Sequence, residues 1–303
     1  MLSAAALAIQ NRMTPPRNIL ITGASTGIGR SIAIDLAQGG DQVIGTVRNQ
    51  KDANALLAAT PPGALPIRSL ILDVTDGASV LRAAEELRDQ LQGAGLHGLI
   101  NNAGVAIAAP LEHIPIEDFQ LQMEINLVGL LRTTQAFLPM VKKVRGRVIN
   151  ISSVAGRLAF PLAGPYHSSK HALEGLSDIM RLEFRRYGIE VVVIQPGAIR
   201  TPIWDTAAKK ASEIGKKLSP QALKDYDKLI HQVRKASAKA GEEGDDPQLC
   251  ADVVRTALNA PRPRTRYIVG RNAKIGLFLR RIFSDRRMDM IVGKGLDLKD
   301  HTP

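Results

Sequence analysis

The residues best suited to chemistry in this chain lie in the run Tyr166-His167-Ser168-Ser169-Lys170. Tyr166 and Lys170 are four residues apart at the head of a helical pattern running from His171 to Tyr187, so they face the same side of that helix. A phenol titrates near ~10 and exchanges protons poorly at neutral pH, but a neighbouring ammonium favours the phenolate. Together the two side chains make a usable general acid/base. Tyr-x-x-x-Lys alone is common by chance, and its company decides its meaning. The segment Asn150-Ile151-Ser152-Ser153-Val154-Ala155-Gly156 closes an apolar strand-like run, which puts the Ser153 hydroxyl where it can hold a carbonyl oxygen. Ser153 lacks the Gly-x-Ser-x-Gly surroundings of a hydrolytic nucleophile, so hydrolysis is disfavoured.

A second constellation follows the first apolar run: Thr22-Gly23-Ala24-Ser25-Thr26-Gly27-Ile28-Gly29-Arg30, leading into the amphipathic stretch Ser31 to Gln38. A strand, a glycine turn and a helix in that order form a dinucleotide cradle. Gly23 suits the tight turn, Gly27 admits a diphosphate to the backbone N–H groups, and Gly29 lets helix and sheet approach closely. Ser25, Thr26 and Ile28 lie on the same turn and are expected to line the cofactor. The second apolar run ends Gly45-Thr46-Val47-Arg48-Asn49, at the place where an acid would hold a free ribose 2′-hydroxyl and an arginine a 2′-phosphate. No acid is present and Arg48 is available, so NADP(H) is favoured over NAD(H).

The elements that must position these groups are legible as short β-branched runs: Asn18–Ile21, Gln42–Val47, Ser69–Leu72, Gly98–Ile100, Arg147–Ile151, Glu190–Ile194 and Arg266–Val269. Seven such runs, nearly unbroken in apolar character and alternating with longer helical patterns, imply a seven-stranded parallel sheet covered on both faces. The expected fold is α/β, three-layered and doubly wound. Catalysis should reside in one domain, residues 17–270. Within it, 201–262 is too long for a single crossover helix and reads as a substrate lid, with a polar hinge at 241–247. Residues 1–16 read as a mobile N-terminal extension; the apolar patch Ala4 to Ile9 is too short for a signal or spanning segment and follows no basic residue. Residues 271–303 form a basic, apolar C-terminal extension in which Ile275 to Phe283 has the spacing of an interfacial helix or of one packed on protein.

Charge is distributed unevenly. The net +11 divides into +2 for residues 1–199 and +9 for residues 200–303. Such asymmetry is compatible with an acidic ligand, an anionic membrane surface or simply solvated helix faces. Nucleic-acid binding is not expected: zinc spacings are lacking and aromatic residues make up 4%. The single cysteine, Cys250, precludes an intrachain disulfide framework, offers no metal cluster and points to a reducing, cytoplasmic setting. It is read as an inert core thiol, and no metal site is expected.

Taken together, the glycine motif, Asp73-Val74, Asn101-Asn102-Ala103-Gly104, Asn126, Ser153, the Tyr166/Lys170 pair and Pro196-Gly197-Ala198-Ile199-Arg200-Thr201 resemble the short-chain dehydrogenases/reductases in order and spacing, across roughly residues 17–270. The resemblance implies a Rossmann fold in which Asp73 and Val74 lie at the adenine, and Asn102, Ala103 and Gly104 pass the adenosine ribose. Pro196, Gly197, Ile199 and Thr201 would serve the nicotinamide half, and Lys170 its ribose. Asn126, in the helical run Met123 to Gln135, would bend that helix and hold a water in a proton relay through Lys170.

The stretches 164–177 and 45–49 are further similar to the branch acting on steroids, retinoids and other apolar alcohols. The implied reaction is reversible hydride transfer between a nicotinamide and a carbonyl or alcohol carbon. Tyr166 would be the acid/base, Ser153 the holder of the substrate oxygen, and Lys170 and Asn126 the supporting residues. Trp204 either lines the substrate cleft or anchors the lid. Alternatives are reduction of a β-ketoacyl thioester and a cofactor-binding regulator without turnover. By the same resemblance a homo-oligomer is expected, with peripheral membrane contact through the C-terminal segment as a further option.

Overall fold

The computed structural model describes residues 15–296. The N-terminal extension expected at residues 1–16 therefore lies outside the described residues apart from Pro15 and Pro16, as does the C-terminal tail from residue 297. Seven strands, β1 (Asn18–Ile21), β2 (Gln42–Val47), β3 (Arg68–Ile71), β4 (Gly98–Asn101), β5 (Arg147–Ile151), β6 (Glu190–Pro196) and β7 (Arg266–Val269), make one sheet in the order β3-β2-β1-β4-β5-β6-β7. All its pairings are parallel. Every strand-like run of the sequence is a strand, and the fold is the expected doubly wound one.

Parallel pairing demands crossovers, and the crossovers supply the outer layers. On one face lie α1 (Gly27–Gln38), α2 (Gln50–Leu57) and α9 (Gln248–Asn259); on the other lie α3 (Gly77–Gln90), α5 (Gly129–Lys143) and α6 (Gly164–Phe184). Side-chain alternation along each strand feeds both. Ile19 and Ile21 pack with Ile32, Leu36 and Val254, whereas Leu20 between them packs with Val80, Leu87 and Phe137. This two-sided burial is why the runs are continuously apolar.

The helical run expected from Met123 to Gln135 is interrupted. α4 (Ile116–Met123) passes into a π-helical turn, Glu124–Val128, before α5 begins. Of the stretch 201–262, α7 (Ile203–Gly215) and α8 (Pro220–Glu242) form a hairpin outside the layers, while α9 is the crossover helix itself, with Cys250, Ala251, Val254 and Ala257 in the core. After β7 come α10 (Arg271–Ile282) and α11 (Asp285–Gly295). Among the described residues no helix is long and apolar enough to cross a membrane.

Candidate active site

The residues singled out from the sequence converge on the carboxyl edge of the sheet. Gly23 follows β1, Arg48 β2, Asp73 β3, Asn102 β4, Ser153 β5 and Gly197 β6. Strand order reverses between β1 and β4, and the crevice outside such a reversal is where open α/β sheets bind ligands.

The glycine turn is held by the neighbouring strand. Gly23 and Gly27 have φ of +64° and +56°, left-handed values that favour glycine. A Cβ on Gly29 would stand 2.4 Å from both Asn102 Nδ2 and the Gly23 carbonyl oxygen, so no side chain fits. Asn102 Nδ2 donates to the carbonyls of Thr22 and Gly23 at 3.0 and 2.9 Å. Thr22 Oγ1 in turn accepts from the N–H groups of Asn102 and Ala103. Thr26 is the N-cap of α1 without a capping side-chain bond, and the first helical turn contains no acid, which leaves N–H groups and a positive dipole end for an anion. Thr201 sits against Gly27, its Cβ 3.2 Å from where a Gly27 Cβ would be. These features fit a dinucleotide diphosphate.

Next along the edge, Arg48 is exposed at the end of β2, and Asn49 caps α2 by accepting from Asp52 N. Asp73 accepts from Thr75 N and Oγ1 at 2.9 and 2.7 Å. Burial raises its pKa, but the bonds from Thr75 and the charge of Arg48 outweigh that and hold the carboxyl below its ordinary value.

The candidate acid/base pair is carried by α6. Gly164 and Pro165 open this helix, so Tyr166 already lies in its first turn with Lys170 one turn on. Tyr166 hydrogen-bonds Ser153. Ser153 is the N-cap of the turn Val154–Gly156; its Oγ accepts from Ala155 N at 3.1 Å and donates to Pro196 O at 3.3 Å. Lys170 Nζ donates to Ile151 O at 2.9 Å and stands 5.8 Å from the Tyr166 ring centroid. Burial pushes the phenol above its ordinary value, opposed by the Ser153 bond. The lowering expected from Lys170 is therefore not found: desolvation dominates, and Nζ is turned to the Ile151 carbonyl. Burial also pulls Lys170 down to about 8, opposed by the charge of Glu174.

Asn126 lies in the π-helical turn, fully buried. Its Oδ1 accepts from Val105 N at 2.9 Å, and its Nδ2 donates to Val105 O and Ser169 Oγ at 3.0 and 3.1 Å. Ser169 belongs to α6, so Asn126 ties the irregular helix to the one bearing Tyr166 and Lys170. Gly104 lies alongside, 3.3 Å separating Asn126 Oδ1 from the position of a Gly104 Cβ.

Apolar side chains gather around the first turn of α6 and the loop after β4. Leu111 packs on Gly164, Phe160 meets His167 edge-on, and Ile214 of α7 buries itself with Ile107 and Ala109. The α7–α8 hairpin is tied down by Lys210 to Asp118 at 2.6 Å and by the Tyr226 hydroxyl to Glu112 at 3.0 Å. Trp204 donates from Nε1 to Ile199 O at 2.8 Å and packs against Gly241, which matches its reading as an anchor between hairpin and body. On the other side α10 places Ala273 against Gly197 and Gly276 against Leu158, beside the Ser153 turn. His167 is buried, with Nδ1 2.6 Å from Leu158 O and 3.1 Å from Ala155 O, a structural role.

Several contributors were missed from sequence: Thr22, Gln122, Ser169, Glu174, Gln195 and Arg266. Gln122 bonds both Ile107 N and Val105 O, and so orders the loop after β4. Only Glu174, four residues beyond Lys170, left a readable signal.

Comparison with known proteins shows the family. The family model for short chain dehydrogenase matches residues 17–212. An NADPH-dependent 3-dehydrocapnine reductase of Ornithobacterium rhinotracheale is 35% identical over 92% of this chain and 97% of its own. Retinol dehydrogenase 7 of Mus musculus is 33% identical over 85% of this chain and 81% of its own. A short-chain dehydrogenase structure from Streptomyces avermitilis superposes with a TM-score of 0.72 at 28% identity, covering 94% of this chain and 98% of that one. With glycine turn, Ser153, Tyr166 and Lys170 on one sheet edge, the chain belongs to the short-chain dehydrogenase/reductase family of oxidoreductases, in the branch that includes retinol dehydrogenases.

Proposed function

We propose that this chain is an NADPH-dependent reductase of a carbonyl on an apolar substrate, such as a ketosteroid, a retinaldehyde or an aliphatic aldehyde. The observation that carries the reading is Ser153 set beside the Tyr166 hydroxyl at the carboxyl edge, with Lys170 one helical turn away and the glycine turn two strands over. Bound NADPH would supply the hydride. Gly23, Ser25, Thr26, Gly27, Ile28 and Gly29 would hold its diphosphate, Arg48 its 2′-phosphate, Asp73 and Val74 its adenine. Asn102, Ala103 and Gly104 would border the adenosine ribose, and Pro196, Gly197, Ile199 and Thr201 the nicotinamide half.

Ser153 holds the substrate oxygen and Tyr166 delivers its proton. A neutral phenol, favoured by burial, is the form a reduction needs. Lys170 stays an ammonium at neutral pH, keeps positive charge beside Tyr166 and would bind the nicotinamide ribose. Asn126 aligns Ser169 and the Val105 backbone beneath the group, where a water can link Lys170 to solvent. The apolar approach through Leu111, Phe160 and Ile214 supports the substrate class. Support for the cofactor comes from Arg48 and from the NADPH dependence in the printed name of the Ornithobacterium relative. The test is oxidation of NADPH, with NADH in parallel, against ketosteroids, retinaldehyde, aliphatic aldehydes and a β-ketoacyl thioester, with Tyr166→Phe as control. Turnover lost in the variant supports the reading; tight NADPH binding without turnover on any carbonyl overturns it in favour of a binding role.

Two surfaces suggest partners. Ile116, Leu121 and Val128 on the α4 side and Ile179 and Leu182 on α6 are exposed, and they suit a second copy of the chain. Leu182→Arg should lower the mass seen in sedimentation, and an unchanged mass would reject this face. On α10, Ile275, Phe278 and Ile282 are 52%, 62% and 53% exposed on one side, flanked by Arg271, Lys274, Arg280 and Arg281. An anionic lipid surface fits that combination. Phe278→Glu should reduce co-sedimentation with phosphatidylserine vesicles, and equal partition of both proteins would reject the contact.

A further inference from the structure

The group beneath Lys170 is the least explained part of the site. Glu174 lies one turn beyond Lys170 on α6 and is only 4% exposed. A buried carboxylate is expensive unless its oxygens are occupied, and both are. Oε1 accepts from Gln195 Nε2 of β6 at 3.0 Å, and Oε2 from Arg266 Nε of β7 at 2.8 Å. Arg266 also donates through Nη2 to Asp178 at 2.8 Å, and Asp178 is paired with Arg181. The Ser152–Gly156 turn closes the other side: a Cβ on Gly156 would meet Glu174 Cγ at 2.8 Å and Lys170 O at 2.9 Å. The helix stripe thus runs phenol, ammonium, carboxylate, carboxylate, with one guanidinium inserted from β7 between the last two.

The arrangement is more than a clamp between α6 and the sheet edge. A clamp alone would be served by Asp178, nearer solvent, without burying Glu174. We infer that Glu174 is a positioning residue for the reaction, whose negative charge keeps Lys170 in its ammonium form and whose carboxylate is held in place by Arg266 from β7. This rests on the reductase reading given above. The groups facing Lys170 are Tyr166 and Glu174 from α6 and the Ile151 carbonyl of β5, and Glu174 is the charge that opposes its desolvation. Arg266, Asp178 and Arg181 act through Glu174, and His167 and His171 are engaged by backbone carbonyls.

The test is Glu174→Gln, which keeps the shape, accepts from Arg266 through its one oxygen and donates from Nε2 to Gln195 once that amide turns over. Lys170 is needed protonated, so activity falls as pH rises through its titration; without the carboxylate that limb should move about one pH unit lower, the low end of the effect of losing one neighbouring opposite charge. The effect should appear in kcat more than in KM, and Glu174→Asp should restore most of the limb's position. Independently of turnover, the 13Cε–1Hε NMR signal of Lys170, assigned by its loss in Lys170→Met, should titrate lower in Glu174→Gln by the same amount. An unmoved NMR titration, with only a lowered Tm, would overturn the inference and leave Glu174 a structural tie. Should Glu174→Gln fail to fold, Arg266→Gln is the second variant: with the guanidinium gone, the Lys170 titration should move higher, and no movement would overturn the inference. Failure of all carbonyl substrates would sink the reductase reading alone, since the NMR titration needs no substrate.

Discussion

Replacing Gly29 by alanine probes the link between the glycine turn and the strand beside it. The third residue of α1 has no room for a methyl: its Cβ would sit 2.4 Å from Asn102 Nδ2 and 2.4 Å from Gly23 O. One of those atoms is backbone and the other is fixed by two hydrogen bonds, so neither yields cheaply. Alanine gains at most about 1 kcal/mol of helix propensity. Against this stand about 1–3 kcal/mol for overpacking and about 1 kcal/mol for each Asn102 bond broken. With both bonds broken the net loss is about 2–4 kcal/mol, a Tm lower by roughly 3–6 °C for a chain of this size.

Because the displaced carbonyl belongs to the turn that would hold the diphosphate, NADPH affinity should fall at least about tenfold, the equivalent of ~1.4 kcal/mol. Calorimetry gives the first quantity and quenching or enhancement of NADPH fluorescence the second. In an Asn102→Ala background half of the crowding is gone, so the same substitution should be markedly less damaging in a double-mutant cycle. A Gly29→Ala protein that melts within roughly 2 °C of the parent and binds NADPH unchanged would refute the reasoning about this turn.

Other expectations follow from single residues. Arg48→Gln should weaken NADPH while leaving NADH nearly untouched, read as the ratio of the two kcat/KM values; an unchanged ratio would remove Arg48 from cofactor selection. His167 is buried with its pKa pushed down by desolvation, so its neutral form is favoured on folding. The stability it supplies is complete above the ordinary value of 6.5 and is lost as pH falls below it. Tm should therefore drop from pH 7 toward pH 5, and His167→Gln should flatten that slope. Cys250 is fully buried, and desolvation, with a contribution from Asp245, pushes its thiol up to about 12. Iodoacetamide should not alkylate it in the native protein and should do so after denaturation; rapid native labelling would contradict the packing of α9.

Some of these features were legible because the physics that sets them is local. A strand buried on both faces must be continuously apolar, so Asn18–Ile21, Gln42–Val47 and Arg147–Ile151 could be read with their ends intact. Tyr166 and Lys170 share a face by helix periodicity alone, and Gly23 and Gly27 announce left-handed turns. Other features depend on partners distant in the chain. The run from Met123 to Gln135 looks like one helix, and it breaks into a π turn where Asn126 bonds the backbone of Val105 and the hydroxyl of Ser169. In residues 201–262 the polar hinge at 241–247 marks where the hairpin ends and α9 begins, but both sides of it are helical; only packing against α1 draws α9 into the core.

Asn102 finds its acceptors in the Thr22 and Gly23 carbonyls, and Trp204 finds its own in Ile199. The amino-acid sequence by itself determined the strands, the glycine turn and the chemistry of Ser153, Tyr166 and Lys170, since each follows from backbone periodicity or side-chain type. Tertiary structure alone decided what surrounds them. Glu174 meets Arg266 across 92 residues and Asn126 meets Ser169 across 43, and such pairings depend on how the sheet orders its strands, which no local pattern encodes.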